Sequence, residues 1–411
     1  MLTVFPFYVE GDYTSLTEGK YRIFLIICGG YVLLMSILSL REKRRLRWRG
    51  AEYCAAAYLA VTLLSAAVSP YPGTWLGNER YEGALTIAVY VLTCFFLSRY
   101  GRARLWQLRL LGISVGVYSI LCLLQIAGGN PLGLYPDGLG YADAGIAYNG
   151  AFLGTMGNAG LSGAWLSLSI PMLFAAVLLL RREGRWLLLP MILGVLTVAL
   201  MDVSAAVLGV AGSLLLTLPM LVSKKNSAMA KGITVSAFAV LILAIWLFPM
   251  PGTAGELHLL LHGTMADSFG SGRIGIWRQL LERIPRQWLL GSGADTVGWL
   301  GLTPFVGQNA AGELVERAVD VAHNEYLQIL ICQGVFALAA YLGLLITLWH
   351  RWRKADTIPG KILGCGILGY CIQAFFSFSM CITAPLFWLA LGLLNAACAK
   401  DKEIAASAVV E

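Results

Sequence analysis

The chain has 411 residues, 58% hydrophobic and only 13% charged, with a formal net charge of +7. A soluble core of this size cannot hide that much apolar surface, and uncharged runs of roughly eighteen residues or more are bilayer helices. No segment has the alternation of a membrane β-barrel, and the basic residues lie in short clusters between apolar runs, which excludes a nucleic-acid partner and is the positive-inside signal of a polytopic membrane protein.

Taken in chain order, "MLTVFPFYVEGDY" lacks the basic start and long apolar core of a cleavable signal peptide. Eleven spans are predicted, at about 21–40, 51–69, 84–99, 110–128, 160–180, 186–201, 206–222, 232–249, 325–348, 362–379 and 384–399. The sixth and seventh are separated by "MDVSA" and form a tight hairpin. The linker "REKRRLRWR", the 99–109 linker, "RREGR", 223–231, 350–361 and the tail together hold 22 of the 30 Lys and Arg, so this side is the cytoplasm. Lys20, Arg22, Arg80, Arg273, Arg278, Arg283, Arg286 and Arg317 lie on the other side. Eleven spans and a cytoplasmic tail put the N-terminus outside. Either the first twenty residues lie in the interface, or the start is upstream and a twelfth helix precedes them. The chain is read as one membrane domain, 1–411.

Two outer loops are long. Residues 129–159 contain no Lys or Arg, and 250–324 is long enough for a small extracytoplasmic subdomain carrying part of a site. Within it, "GRIGIWRQLLERIPRQWLLG" sets Ile276, Trp277, Leu280, Leu281, Ile284 and Trp288 on one helical face, as in a helix lying along the membrane surface that Pro285 ends or kinks. The nine cysteines fall in or beside the spans without a CxxC pair and read as small buried hydrophobes.

The polar residues with chemistry gather on the outer side: Arg80 in "GNERYEG", Asn158 in "GTMGN", Arg273 in "SGRIGIW", and Asp320, His323, Asn324 and Glu325 in "DVAHNEYLQ". Each has a plain reading: arginines at helix ends snorkel to headgroups, asparagines cap helices, and a loop histidine is solvated. As a set they make a base with phosphate clamps. A histidine of ordinary pKa, about 6.5, accepts a proton at neutral pH. Asp320 or Glu325 could orient its ring, and arginine forks suit phosphate oxygens. At an outer membrane face this kit suits a lipid-linked diphosphate, whose leaving group needs fixed cations. His258 and His262 in "ELHLLLHG" share a helix face but lack a third metal ligand nearby. "GSG" at 291–293 is a turn or an anion nest, and Asn395 in the last span is a helix-packing residue.

In this order, "GNERYEG", "GTMGNAG", "SGRIGIW" with "LLGSGADT", and "DVAHNEYLQILICQGVFALAAYLGLL" resemble the O-antigen ligase and O-antigen polymerase-like membrane proteins, across most of the chain. The resemblance implies an all-α, C-type, metal-independent, inverting glycosyltransferase of the bacterial cytoplasmic membrane, with its active site on the extracytoplasmic face and no cofactor. The donor is an undecaprenyl-diphosphate-linked glycan, and the acceptor is a glycan, lipid or protein hydroxyl. By the same resemblance His323 is the base and Arg273 binds the diphosphate, with Arg80, Asn324, Asp320, Glu325 and Asn158 around the substrate. One departure is plain. Where the family often has Ser/Thr-Arg, this chain has Ser204-Ala205, and Arg80 is the candidate to compensate. A transporter or flippase of lipid-linked sugars and an inactive scaffold are the competing readings; a transporter would place ionisable groups mid-membrane beside broken helices.

Overall fold

The structure is a computed structural model that describes residues 1–41, 48–78, 80–136, 139–142, 152–201, 203–222, 224–249, 253–264, 269–308 and 314–407. It is an all-helical, multi-pass membrane protein, with one short two-stranded hairpin. Among the described residues, seven helices are long and apolar enough to cross a bilayer: α1 (Leu16–Arg41, with a π turn at Leu25–Gly29), α2 (Gly50–Val68), α4 (Leu105–Ile126), α5 (Ala159–Leu180), α7 (Ser204–Leu221), α8 (Lys224–Leu247) and α11 (Glu325–Arg353). Four shorter apolar helices stand where the other predicted spans fall: α3 (Ala84–Tyr100), α6 (Leu188–Leu200), α12 (Ile358–Ala374) and α13 (Ala384–Ser407).

Helix α5 is the axis of the bundle, packed by α12, α7, α6 and α4, while α1 and α8 are largely exposed and lie at the periphery. Small residues permit the closest approach. A Cβ at Gly366 or Gly369 of α12 would stand 2.2 Å from the carbonyl oxygen of Leu168 or Ser167 in α5, the backbone-to-backbone contact that small residues allow between membrane helices. Elsewhere α11 packs on α2 and α13 on α3. At the end carrying the basic linkers, Arg99 of α3 reaches Glu52 in the first turn of α2 at 2.9 Å, both nearly inaccessible. Arg351 of α11 donates to the Asn395 side chain of α13, so that asparagine does tie two helices together.

Residues 1–15 precede α1 without forming a helix. They thread into the bundle, where a non-helical backbone must find partners. Ser114 Oγ donates to the Leu2 carbonyl at 2.7 Å, and Thr155 Oγ1 to that of Pro6 at 2.6 Å. Lys20 Nζ donates to the carbonyls of Phe5 and Pro6 at 2.6 and 2.8 Å, and Tyr13 Oη to that of Gly154 at 2.7 Å. Lys20 therefore serves a buried carbonyl pair rather than an open surface.

Helix α11 is broken. Gly334 has φ 84°, ψ 177° inside it, a conformation that glycine reaches without strain. A Cβ there would lie 2.1 Å from the Leu289 carbonyl oxygen. The segment Trp288–Gly293 docks into the gap. Ser292 N donates to Ile331 O at 2.9 Å, Gly293 N to Cys332 O at 2.7 Å and Val335 N to Trp288 O at 2.8 Å, while Ser65 Oγ of α2 also reaches Cys332 O at 3.0 Å. The N–H groups of "GSG" are thus spent on carbonyls, and it is not an anion nest.

Within 250–324 lie α9 (Thr253–Leu261), α10 (Phe269–Gln287) and an antiparallel hairpin of β1 (Phe305–Gln308) and β2 (Leu314–Arg317). Ile276 and Leu280 of α10 join Val297, Leu300, Val319 and Ala322 in a second core, shared with Ile331 and Cys332 of α11. The expected surface helix is therefore docked on protein along most of its apolar face, through Ile276, Trp277, Leu280 and Ile284, with Leu281 and Trp288 left exposed. It runs past Pro285 to Gln287. The side chains of Pro285, Arg286 and Arg317 lie outside the described residues, as do Asp202 and residues 143–151.

Candidate functional site

The upper end of the bundle, away from the basic linkers, collects the separate polar motifs. The backbone before α11 is pinned from both sides. Trp277 Nε1 of α10 donates to the Ala322 carbonyl at 2.8 Å, and Gln328 Oε1 accepts from Ala322 N at 2.8 Å. Asn324 is the N-cap, its side-chain oxygen accepting from Leu327 N at 3.0 Å, which satisfies one of the open donors of the first turn. Between these anchors His323 takes φ 48°, a left-handed conformation that few non-glycine residues adopt and that holds only where the surroundings impose it. Its ring meets Phe378, in the α12–α13 loop, edge to face at 5.5 Å between centroids.

Phe378 also carries Arg80, whose guanidinium carbon lies 4.4 Å from the ring centroid, a cation–π contact. Arg80 Nε and Nη2 both reach Asp320 Oδ2, at 3.0 and 2.6 Å. Arg80 and Asp320 are 240 residues apart in the chain. Asp295 of "GADT" closes the same turn: its Oδ2 accepts from the N–H groups of Asn78 and Glu82, and its carbonyl from Asn78 Nδ2 at 2.6 Å. Three of the sequence motifs thus meet through hydrogen bonds, and α10 supplies Arg273 close enough to act on His323 electrostatically.

Charge and burial then determine the state of the histidine. Burial pushes the His323 pKa down to about 4, and the cations Arg273 and Arg80 add to the effect against an upward pull from Asp320. The pKa therefore lies below the expected ordinary value near 6.5, first because burial disfavours the charged ring and then because Arg273 and Arg80 oppose a further positive charge. The ring is neutral at neutral pH. Neither predicted orienting carboxylate hydrogen-bonds it among the described residues. Asp320 holds Arg80, and Glu325, at the first position of α11, accepts from Tyr341 Oη at 2.5 Å.

Asn158 is exposed and caps α5, accepting from Gly160 N at 2.6 Å. A Cβ on Gly160 would lie 4.0 Å from Ser377 Oγ, so this helix start borders the Phe378 loop. Ala205 is buried at the start of α7, where its neighbour Ala206 fits against Gly163 of α5. No guanidinium is available there. His258 and His262 have local partners: Nδ1 of each contacts a carbonyl, Ile245 and His258 respectively, at 2.8 Å. Among the described residues no cluster of three or more metal-ligating side chains occurs, and none of the nine cysteines is in a disulfide.

Glu82 and Tyr341 were not singled out from the sequence. Glu82 sits inside the quoted "GNERYEG" and accepts from Tyr90 Oη at 2.7 Å; a carboxylate just before an apolar run is the signal that could have marked it. No protein-family model matches this chain, and a search of curated proteins finds no significant match.

Proposed function

We propose that the protein transfers a glycan from an undecaprenyl-diphosphate-linked donor to an acceptor hydroxyl, in the manner of the O-antigen ligases and polymerases that its motifs resemble, without a metal and with inversion. The observation that carries this reading is the grouping of His323, Arg80, Phe378 and Asp320 at one end of a membrane bundle, with Arg273 in electrostatic reach. Arg273 and Arg80 would hold the diphosphate, and His323 would take the acceptor proton as the hydroxyl oxygen attacks the anomeric carbon and the diphosphate leaves. The four shorter helices complete eleven crossings, and the site faces the extracytoplasmic side of a bacterial inner membrane. Arg80 stands in for the cation that Ala205 does not provide.

The depressed pKa of His323 is consistent with a base that becomes competent only with substrate. A diphosphate between Arg273 and Arg80 neutralises the charges that oppose protonation, so the pKa rises on binding. The expected result is a split between two pH profiles. The free-enzyme profile, kcat/KM, stays flat through neutral pH and falls only as pH drops through about 4, while the acid limb of kcat lies at higher pH. Coincident limbs near the ordinary histidine value would mean the arginines do not act on His323.

The direct test is a purified, reconstituted protein given a defined lipid-diphosphate sugar and candidate acceptors. Glycosylated acceptor supports transfer. A second reading is favoured by the break in α11 at Gly334, since discontinuous helices at membrane depth occur in transporters. Movement of the lipid-linked sugar across liposomes without a new glycosidic bond would establish that reading instead. Orientation has its own check. Cysteines placed at the exposed Leu76 and Trp299 are expected to react with an impermeant maleimide outside the cell, and one at the exposed Lys225 is not.

A further inference from the structure

Beneath the Arg80–Asp320 pair the bundle contains a cavity of about 50 Å³, with Glu82, Glu325, Asp295, Gln333 and Arg80 in its wall. We propose that Glu82 and Glu325 form a carboxyl pair that shares one proton through water in this cavity, a built-in proton site distinct from His323. Glu325 is only 6% exposed, and its Oε2 has no hydrogen-bond partner. An orphaned carboxylate oxygen at this depth is costly and marks a place where water or a proton belongs. The cavity suits one or two waters, each needing about 30 Å³. The sole cationic side chain in its wall among the described residues is Arg80, and Arg80 bonds Asp320 through both Nε and Nη2.

The two carboxyls are not equivalent. Glu325 opens α11, where the positive end of the helix dipole favours its charge, and Tyr341 Oη donates to its other oxygen. Glu82 has Tyr90 as a donor, yet burial raises its pKa well above the carboxylate range, and the charges of Asp295 and Glu325 add to the rise. Asp295 is committed to two backbone N–H groups. The other titratable or charged groups near the pair include Tyr58 of α2, Tyr326 and Cys332 of α11, Tyr370 and Cys371 of α12, Cys381 and Arg80. Two uncompensated neighbouring carboxyls cannot both ionise at low cost, so one proton stays with the pair. A metal ion is the poorer occupant, because the described residues bring no three ligands together and Arg80 shares the wall.

The site exists in the resting protein and does not depend on the transfer reaction. Its test is infrared spectroscopy of the full chain in lipid nanodiscs at neutral pH, in H₂O and in D₂O. The expected result is a carboxylic-acid C=O band that moves to lower frequency in D₂O. It disappears in Glu82→Gln, and in Glu325→Gln it persists at a shifted frequency, since Glu82 keeps the proton that its burial favours but loses its partner. In Tyr341→Phe the band persists at a shifted frequency, because the donor to Glu325 is gone. No such band in the wild type, one that survives Glu82→Gln, or one that is unchanged in Glu325→Gln, overturns the proposal. So does a sodium-dependent rise in thermal midpoint without the band, which would make the cavity a cation site. If the Gln variants fail to fold, the wild type and Tyr341→Phe still decide.

Discussion

His323→Ala is expected to leave the protein folded and membrane-inserted while cutting glycan transfer by roughly 10²–10⁴-fold, the usual range for loss of a general base. The size of the effect follows from how rigidly the imidazole is held. Its backbone lies between the Trp277-anchored Ala322 and the Asn324 cap, and its ring rests on Phe378. Such preorganisation is what makes a weak base effective. A purified variant that transfers glycan at near wild-type rate would remove His323 from the chemistry and leave it as the turn that starts α11. Alanine at φ 48° carries backbone strain of its own, so His323→Asn, which tolerates that conformation, is the companion variant. It should fold better than the alanine form and be as inactive.

Arg273→Ala is expected to lower kcat/KM for the lipid-diphosphate donor by about 10²–10³-fold, the scale seen when a preorganised donor to developing negative charge is removed. Arg273→Lys should recover only part, since lysine keeps the charge and loses the two-pronged fork. Arg278→Ala, on an exposed position of the same helix, should change little. Equal losses at 273 and 278 would mean that the loop arginines act as a general basic surface. A further readout separates binding from stability: His323 should titrate at higher pH in Arg273→Ala than in wild type, because one of the cations lowering its pKa is gone.

Much of the helical layout was legible because hydrophobic periodicity and basic linkers are local signals. Every predicted span coincides with an apolar helix, and the polar motifs of the upper end do share one region. What escaped the sequence reading depended on groups brought together from far away. The pKa of His323 is determined by burial and by Arg273 and Arg80, the latter held by a residue 240 positions distant. Lys20 looked like an outer-side charge because nothing local shows that it ends on the carbonyls of Phe5 and Pro6. Gly334 is one glycine in a long apolar run. Only the docked Trp288–Gly293 segment explains why its backbone leaves the helix.

That break carries a consequence for biogenesis. An ordinary span satisfies its own backbone throughout, whereas the broken form of α11 does not. Around Gly334 its carbonyls need Ser292 N and Gly293 N from the preceding loop and Ser65 Oγ from α2. Those partners are made earlier on the ribosome, so the break is completed only when α11 packs against a loop and a helix already synthesised. Until then α2 and α3 lack the α11 and α13 faces they pack on, and their buried polar groups, Thr62 and Ser65 among them, face lipid. A chain interrupted before residue 325 would thus be an early client of membrane quality control, with its first helices inserted but unsealed.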